Sequence, residues 1–242
     1  MAELVAVVDL GSTAVRFLLV KIVPGSSYRV LVQERVPTRL AGGRPGILPR
    51  EAIDETLRAV HRFFSRYSKD ARGPRVVAVA TSAVREARNR ERLLGPLRRK
   101  EGIDVQILSA RDEARLGVYA AIDSLSFRDG IVVDLGGASL QLSRVRDRKI
   151  ASTSSLPLGA VRTTALFLRQ QRPRPRELQT FRTQVRGQLQ GVLPPAARGE
   201  VMVGMGGTVR TLASIHLRAH SGKRKHRHGL QMKRLGKQVN RV

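Results

Sequence analysis

Two aspartates in this chain sit in the same pentapeptide, Val7-Val8-Asp9-Leu10-Gly11 and Val132-Val133-Asp134-Leu135-Gly136. Each copy closes an apolar run on an Asp, passes a turn of small residues and re-enters an apolar stretch. An aspartate at a strand tip suits a metal-bound phosphate, because its oxygens hold a hard cation while neighbouring backbone N–H groups converge on the anion. The turns supply such groups: Gly11-Ser12-Thr13, Gly136-Gly137-Ala138-Ser139 and, further on, Gly204-Met205-Gly206-Gly207-Thr208. Glycine there reaches positive φ and lets the backbone approach a ligand closely. The third turn also opens a helical pattern, whose positive dipole end favours an anion. A single turn of this kind also ends many ordinary strands. Three in matched settings, two of them led by Asp, point to phosphate.

The surrounding pattern must position these turns. Leu4–Asp9, Val15–Val23 and Tyr28–Val36 read as a three-stranded meander, followed by a Gly/Pro-rich loop, Ala41–Gly46, expected to be mobile and able to act as a lid. Pro49 opens a helix whose apolar stripe is Ile53, Leu57, Val60 and Phe64. Val76–Ala80 is a short, fully buried strand, Ala87–Lys100 a helix interrupted at Gly95-Pro96, Ile103–Leu108 a strand and Asp112–Ile122 a helix. The plan then repeats. Ile131–Asp134, Leu140–Val145 and Lys149–Ser155 form a second meander, Ala160–Leu168 and Glu177–Val192 are helical, and Arg169–Arg176 is a basic loop between them. Val201–Met205 is a strand and Thr208–Leu217 a helix. The pattern is mixed α/β, read as two lobes over residues 1–124 and 125–242 that present their turns to a shared cleft.

The 242 residues are enough for one large domain or two small lobes. The sequence contains no cysteine, which excludes disulfides and thiolate metal sites. No apolar run reaches the length of a membrane span, and the start of the chain lacks a signal-peptide pattern, so a cytoplasmic location without a membrane partner is the expectation. Lys and Arg number 45 against 19 acids, a net charge of +26 that attracts polyanions. An Arg-rich proteome with solvated faces gives the same balance. The tail from about Arg218 is densely basic and holds His220, His226 and His228. A minor nucleic-acid role for Ser221–Arg234 matches that charge, yet aromatics make up only 4% of the chain and no known module is present, so nucleic acid is not the expected main partner. No nearby carboxylate or Cys completes a zinc site around the histidines.

Six segments in order resemble the exopolyphosphatase and guanosine-pentaphosphate phosphohydrolase (Ppx/GppA phosphatase) family, in the actin-like, Hsp70 and sugar-kinase superfamily. They are Val8–Arg16, Ala80–Ala87, Asp112–Gly117, Asp134–Ser139, Ser155–Arg162 and Gly204–Thr208, with His228-Gly229 after them. The resemblance implies an α/β architecture of two ribonuclease H-like (actin-like ATPase) lobes with a cleft between them. It implies Mg²⁺-assisted hydrolysis of a terminal phosphoanhydride bond in polyphosphate or guanosine pentaphosphate. Glu113 is then the base that activates water. Asp134, with Asp9, holds the metal. Ser12, Arg85, Gly137, Ser139, Gly206, Gly207 and Thr208 grip the phosphates, and Arg16 braces the first turn. Without that context Glu113 reads as a solvated helix carboxylate and Arg85 as a surface charge.

The chain departs from the family pattern in the same motifs. Ala138 stands in place of a third Gly, Leu140 in place of Thr and Gln141 in place of Glu, while Thr13 and Ala14 stand where Asn and Ser are usual. A neutral amide at 141 neither holds a cation by charge nor accepts a proton. The family continues beyond His228-Gly229, so the second lobe is expected to be incomplete, or completed by a partner such as a second copy in a homodimer. Two readings stay open: a phosphoanhydride hydrolase, and a binder of polyphosphate or alarmone that has lost turnover.

Overall fold

The computed structural model describes residues 2–67, 73–168, 172–192 and 199–220. The basic tail, with its three histidines, lies outside the described residues except for the backbone up to His220. The chain divides into two compact units, Met1–Ser109 and Ala110–Val242.

In the first unit, β1 (Glu3–Leu10), β2 (Ala14–Val23) and β3 (Ser27–Pro37) form an antiparallel meander. The strand β4 (Arg75–Ala80) adds parallel to β1, and β5 (Val105–Ile107) adds parallel to β4, giving the order β3-β2-β1-β4-β5. Alternation in β1 sends Ala6, Val8 and Leu10 into the core and leaves Asp9 on the opposite face. The helices α1 (Arg50–Tyr67), α2 (Ser82–Glu86) and α3 (Glu91–Glu101) complete the unit. Phe17 anchors the core, with the ring of Phe63 5.0 Å away and that of Tyr67 at 5.4 Å. Burying a side chain of that size contributes about 1.5–3 kcal/mol.

The inward face of α1 is Ala52, Ile53, Thr56, Ala59, Val60 and Phe63, so it is turned slightly from the expected stripe. Leu57 and Phe64 flank it, packed but only partly buried. Thr56 is tolerated inside because its hydroxyl donates to the Ala52 carbonyl at 2.7 Å. Pro96 does not interrupt α3. Proline inside a helix costs about 3 kcal/mol, and here Leu93, Leu94 and Leu97 offset that cost by sinking into the core. The Gly/Pro-rich loop is tied down as well: Ala41 N–H donates to Ser12 O at 2.9 Å, Arg88 N–H to Gly46 O at 2.9 Å, and Asn89 clamps both backbone groups of Leu48.

The second unit opens with α4 (Ala110–Ser124), then β6 (Gly130–Leu135), β7 (Leu140–Arg146) and β8 (Lys149–Leu156) as another antiparallel meander. After α5 (Ala160–Phe167) and α6 (Pro175–Leu189), β9 (Val201–Met205) pairs parallel with β6, and α7 (Gly207–His220) follows. The order β8-β7-β6-β9 matches the first sheet without a fifth strand among the described residues. In both meanders the outer pair shifts register at the same offset from the aspartate, after Leu19 in one and after Arg144 in the other. The helix α4 packs on β6, β7 and β8, so it belongs with the second unit, whereas the sequence drew the boundary after residue 124. One face of this sheet is packed with Val118 and Ala121 of α4, the other with Leu158 and the partly buried Val185 and Leu189. No helix among the described residues is long and apolar enough to cross a membrane.

Candidate active site

In the first unit the β1–β2 hairpin puts Asp9 directly across from Arg16. The Arg16 Nη1 donates to Asp9 Oδ2 at 2.7 Å, with the two side chains 42% and 26% exposed, while Oδ1 is buried without a hydrogen-bond partner. The turn closes with Gly11 N–H donating to Ala14 O at 3.2 Å. Beyond it, the buried Ser12 hydroxyl meets the Ser82 hydroxyl of α2 at 3.1 Å, and Thr13 O accepts from the N–H groups of Thr38 and Arg39. Arg85, at the end of α2, donates Nη1 to Leu108 O at 2.8 Å. These bonds fix the turn and α2 relative to β4.

The second hairpin repeats the backbone and changes the chemistry. Gly136 N–H donates to Ser139 O at 3.0 Å, matching Gly11 and Ala14, and Asp134 stands across from Gln141. Gln141 is only 3% exposed, and its Nε2 donates to Ser139 Oγ at 2.9 Å. Two glycines crowd the aspartate. A Cβ at Gly117 of α4 would lie 3.6 Å from Asp134 Oδ2, and one at Gly206 would lie 3.3 Å from Oδ1 and 2.3 Å from Leu135 O. Gly206 also has φ +93, so the third turn depends on glycine twice over. Glu113 lies one helical turn before Gly117 on the same face of α4, with its side chain half-buried. Glu113 therefore lies on the helix that borders Asp134 through Gly117.

The N-terminus of α5 is docked against the same turn. Ala160 N–H donates to Gly136 O and Val161 N–H to Gly137 O, both at 2.9 Å. That approach needs Gly159, because a Cβ there would fall 2.3 Å from Ala138 N and C. Asp9, Ser12 and Arg85 belong to the first unit, and Glu113, Asp134, Gly137, Ser139, Gly206, Gly207 and Thr208 to the second. Sequence reasoning gave no role to Gly117, Gly159 or Ser82. Gly117 left a signal, since glycine inside a helix costs about 1 kcal/mol and is kept where another group must pass closely. Ser82 left none.

Each unit is a three-stranded antiparallel meander continued by a parallel strand with helices packed on it, which is the ribonuclease H-like, actin-like ATPase fold. The Ppx/GppA phosphatase family model matches residues 18–240, and the chain belongs to that family. It is 29% identical over 216 residues to exopolyphosphatase 1 of Mycobacterium leprae, covering 86% of this chain and 63% of that one. Against exopolyphosphatase 1 of Mycobacterium tuberculosis it is 31% identical over 166 residues, 67% of this chain and 48% of the relative. The chain therefore spans roughly half to three fifths of these relatives. Among solved structures, the Ppx-GppA enzyme of Aquifex aeolicus superposes with a TM-score of 0.73 at 29% identity, over 90% of this chain and 72% of that one. An exopolyphosphatase from Cytophaga hutchinsonii superposes at 0.80 with 22% identity, over 92% and 72%, and bears on the fold alone.

Proposed function

We propose that the chain hydrolyses the terminal phosphoanhydride bond of inorganic polyphosphate, with guanosine pentaphosphate as a second substrate of the same chemistry. The observation that carries this reading is the close approach of Gly117 and Gly206 to Asp134 within one unit, with Glu113 one helical turn before Gly117. The names of the mycobacterial relatives favour polyphosphate. Water bonds to the terminal phosphorus as the bridging P–O bond breaks. Glu113 takes the water's proton and passes it to solvent, and the electron pair leaves on the shortened chain. Backbone N–H groups of Gly137 and of the Gly206–Thr208 turn, with the Ser139 and Thr208 hydroxyls, orient the phosphate oxygens. Ser12 and Arg85 are assigned to phosphate binding by the family pattern, and Arg85→Ala is expected to raise KM.

Mg²⁺ is the implied cation, and the donor set decides how it would be held. Among the described residues no three His, Cys, Asp or Glu side chains are gathered around one point. Magnesium does not require such a cage, since one or two carboxylates with substrate oxygens and waters suffice. Asp134, half-buried between Gly117 and Gly206, is the carboxylate assigned to that role, whereas Asp9 is already paired with Arg16. When bound, the ion would neutralise charge on the phosphoanhydride oxygens.

Gln141 favours a second reading, a chain that binds polyphosphate with little or no turnover. Its amide stands across from Asp134 and is hydrogen-bonded to Ser139, so it brings neither charge nor proton acceptor. Phosphate release from polyphosphate and guanosine pentaphosphate with Mg²⁺ separates the two. The hydrolase reading expects measurable release that Glu113→Gln lowers by about 10²-fold or more. Binding without release in either form assigns the second reading.

A further inference from the structure

A charged surface of the second unit stands apart from these groups. The helix α6 buries none of its residues fully, and the arginines leading into and along it, Arg172, Arg174, Arg176, Arg182 and Arg186, are all exposed. Its apolar side is the row Phe181, Val185 and Leu189. Phe181 packs on Phe167 of α5 with ring centres 6.0 Å apart, and the other two reach the core beneath. Arg182 and Arg186 stand one turn apart beside that row, and Arg176 extends the same polar side, a span of about 15 Å at 1.5 Å per residue.

Several exposed arginines of the first unit are matched with acids, such as Arg58 with Glu55, Arg66 with Glu34, Arg75 with Glu3 and Arg98 with Asp104, while others, such as Arg29, Arg35 and Arg62, are scattered over its strands and helix. On α6 the acid is Glu177, and its carboxylate accepts from the backbone N–H of Arg174 at 2.7 Å. Like charges one turn apart weaken a helix by a few tenths of a kcal/mol. A sequence that keeps them at a local cost keeps them for something outside the helix.

Resting on the hydrolase or binder reading, we propose that this arginine row is an accessory site for the distal part of a long polyphosphate chain. Guanidinium forks pair with successive phosphate oxygens. The helix that joins the row to the phosphate turn is α5, whose N-terminus is bonded to Gly136 and Gly137 and whose last residue, Phe167, holds α6. At eight residues α5 spans about 12 Å, a reach that suits an extended chain and exceeds what a nucleotide's phosphates cover. The aromatic of this segment, Phe181, is turned inward, so the row offers no platform for stacking bases, which favours polyphosphate over single-stranded nucleic acid.

The test is metal-free binding of long-chain polyphosphate and of tripolyphosphate to the full chain over a range of salt. Three proteins are compared: wild type, Arg176→Gln/Arg182→Gln/Arg186→Gln, and a charge-matched control, Arg29→Gln/Arg35→Gln/Arg62→Gln, in the first unit. Glutamine keeps helix propensity, and circular dichroism checks the fold. The α6 variant is expected to lose at least tenfold in long-chain affinity, with the salt slope falling by about two at roughly 0.7 per phosphate contact, and to bind tripolyphosphate as wild type does. An unchanged long-chain affinity overturns the proposal. An equal loss in the control variant, or single-stranded RNA bound as tightly as polyphosphate at matched salt, also overturns it. Turnover plays no part in this readout, so a failure to release phosphate would count against the hydrolase reading alone.

Discussion

The two hairpins that begin with Val-Val-Asp-Leu-Gly share a backbone and differ in what stands across from the aspartate. Each closes through a glycine N–H, and each places residue Asp+7 opposite the carboxylate, but that residue is Arg16 in one and Gln141 in the other. The first carboxylate is charge-balanced by a 2.7 Å ion pair, and the second faces an amide whose own hydrogen bond goes to Ser139. The two hairpins share the backbone bond that closes the turn. The residue facing the carboxylate differs in chemistry, so the cross-strand contact is an ion pair in one hairpin and carries no charge in the other.

The sharpest way to break this contrast is to neutralise each aspartate in turn. Asp134→Asn is expected to lower phosphate release by about 10²-fold or more. Asp9→Asn removes a partly exposed pair worth about 0.5–1 kcal/mol, and its expected effect on rate is under tenfold. Steady-state kinetics on both variants decides the matter. Equal losses would show that Asp9 takes part in the chemistry as fully as Asp134, and the contrast would fail.

Much of this was legible in the sequence, because the repeated pentapeptide and the apolar runs of β1, β2 and β6 mark strands that must pack into a core. What escaped had physical causes. The five-residue α2 is too short for a helical period, and the packing of α4 on the second sheet leaves no local trace. The run through Gly95-Pro96 carries the local signature of a broken helix, and the burial of Leu93, Leu94 and Leu97 that overrides it is a tertiary effect. In the site, the aspartates and glycine turns announced themselves by type and spacing. The Asp9–Arg16 pair and the Gln141–Ser139 bond needed the strand register, which sequence fixes only once the turn length is known.

The turns can be compared by adding a methyl group. Gly159→Ala places a Cβ 2.3 Å from Ala138 backbone atoms, where nothing flexible can yield. Gly11→Ala meets the Ala14 carbonyl at 2.9 Å, a contact that a small backbone shift relieves. Overpacking costs about 1–3 kcal/mol, so urea unfolding is expected to show a loss near the top of that range for Gly159→Ala and near the bottom for Gly11→Ala. The reverse order would mean that the docking of α5 on the second turn is the looser of the two.

The smallest expected effect is also the most specific. Gln141→Glu places a second carboxylate, almost fully buried, across from Asp134, and two like charges there repel in a poorly solvated setting. Without metal the variant should therefore unfold at a lower temperature than wild type. A divalent cation held between the two carboxylates removes the repulsion, and a ligand that binds only the folded state stabilises it by mass action. Mg²⁺ or Mn²⁺ should then raise the melting temperature of the variant more than that of wild type, with about a tenfold gain in cation affinity, or 1.4 kcal/mol. The matching change in the first hairpin, Arg16→Gln, gives Asp9 the neighbour that Asp134 has, and a cation-dependent rise in its melting temperature would show that the residue across the strand, not the position of the aspartate, decides which hairpin takes the metal. If neither variant responds to the cation, the opposite residue is not what sets the two hairpins apart.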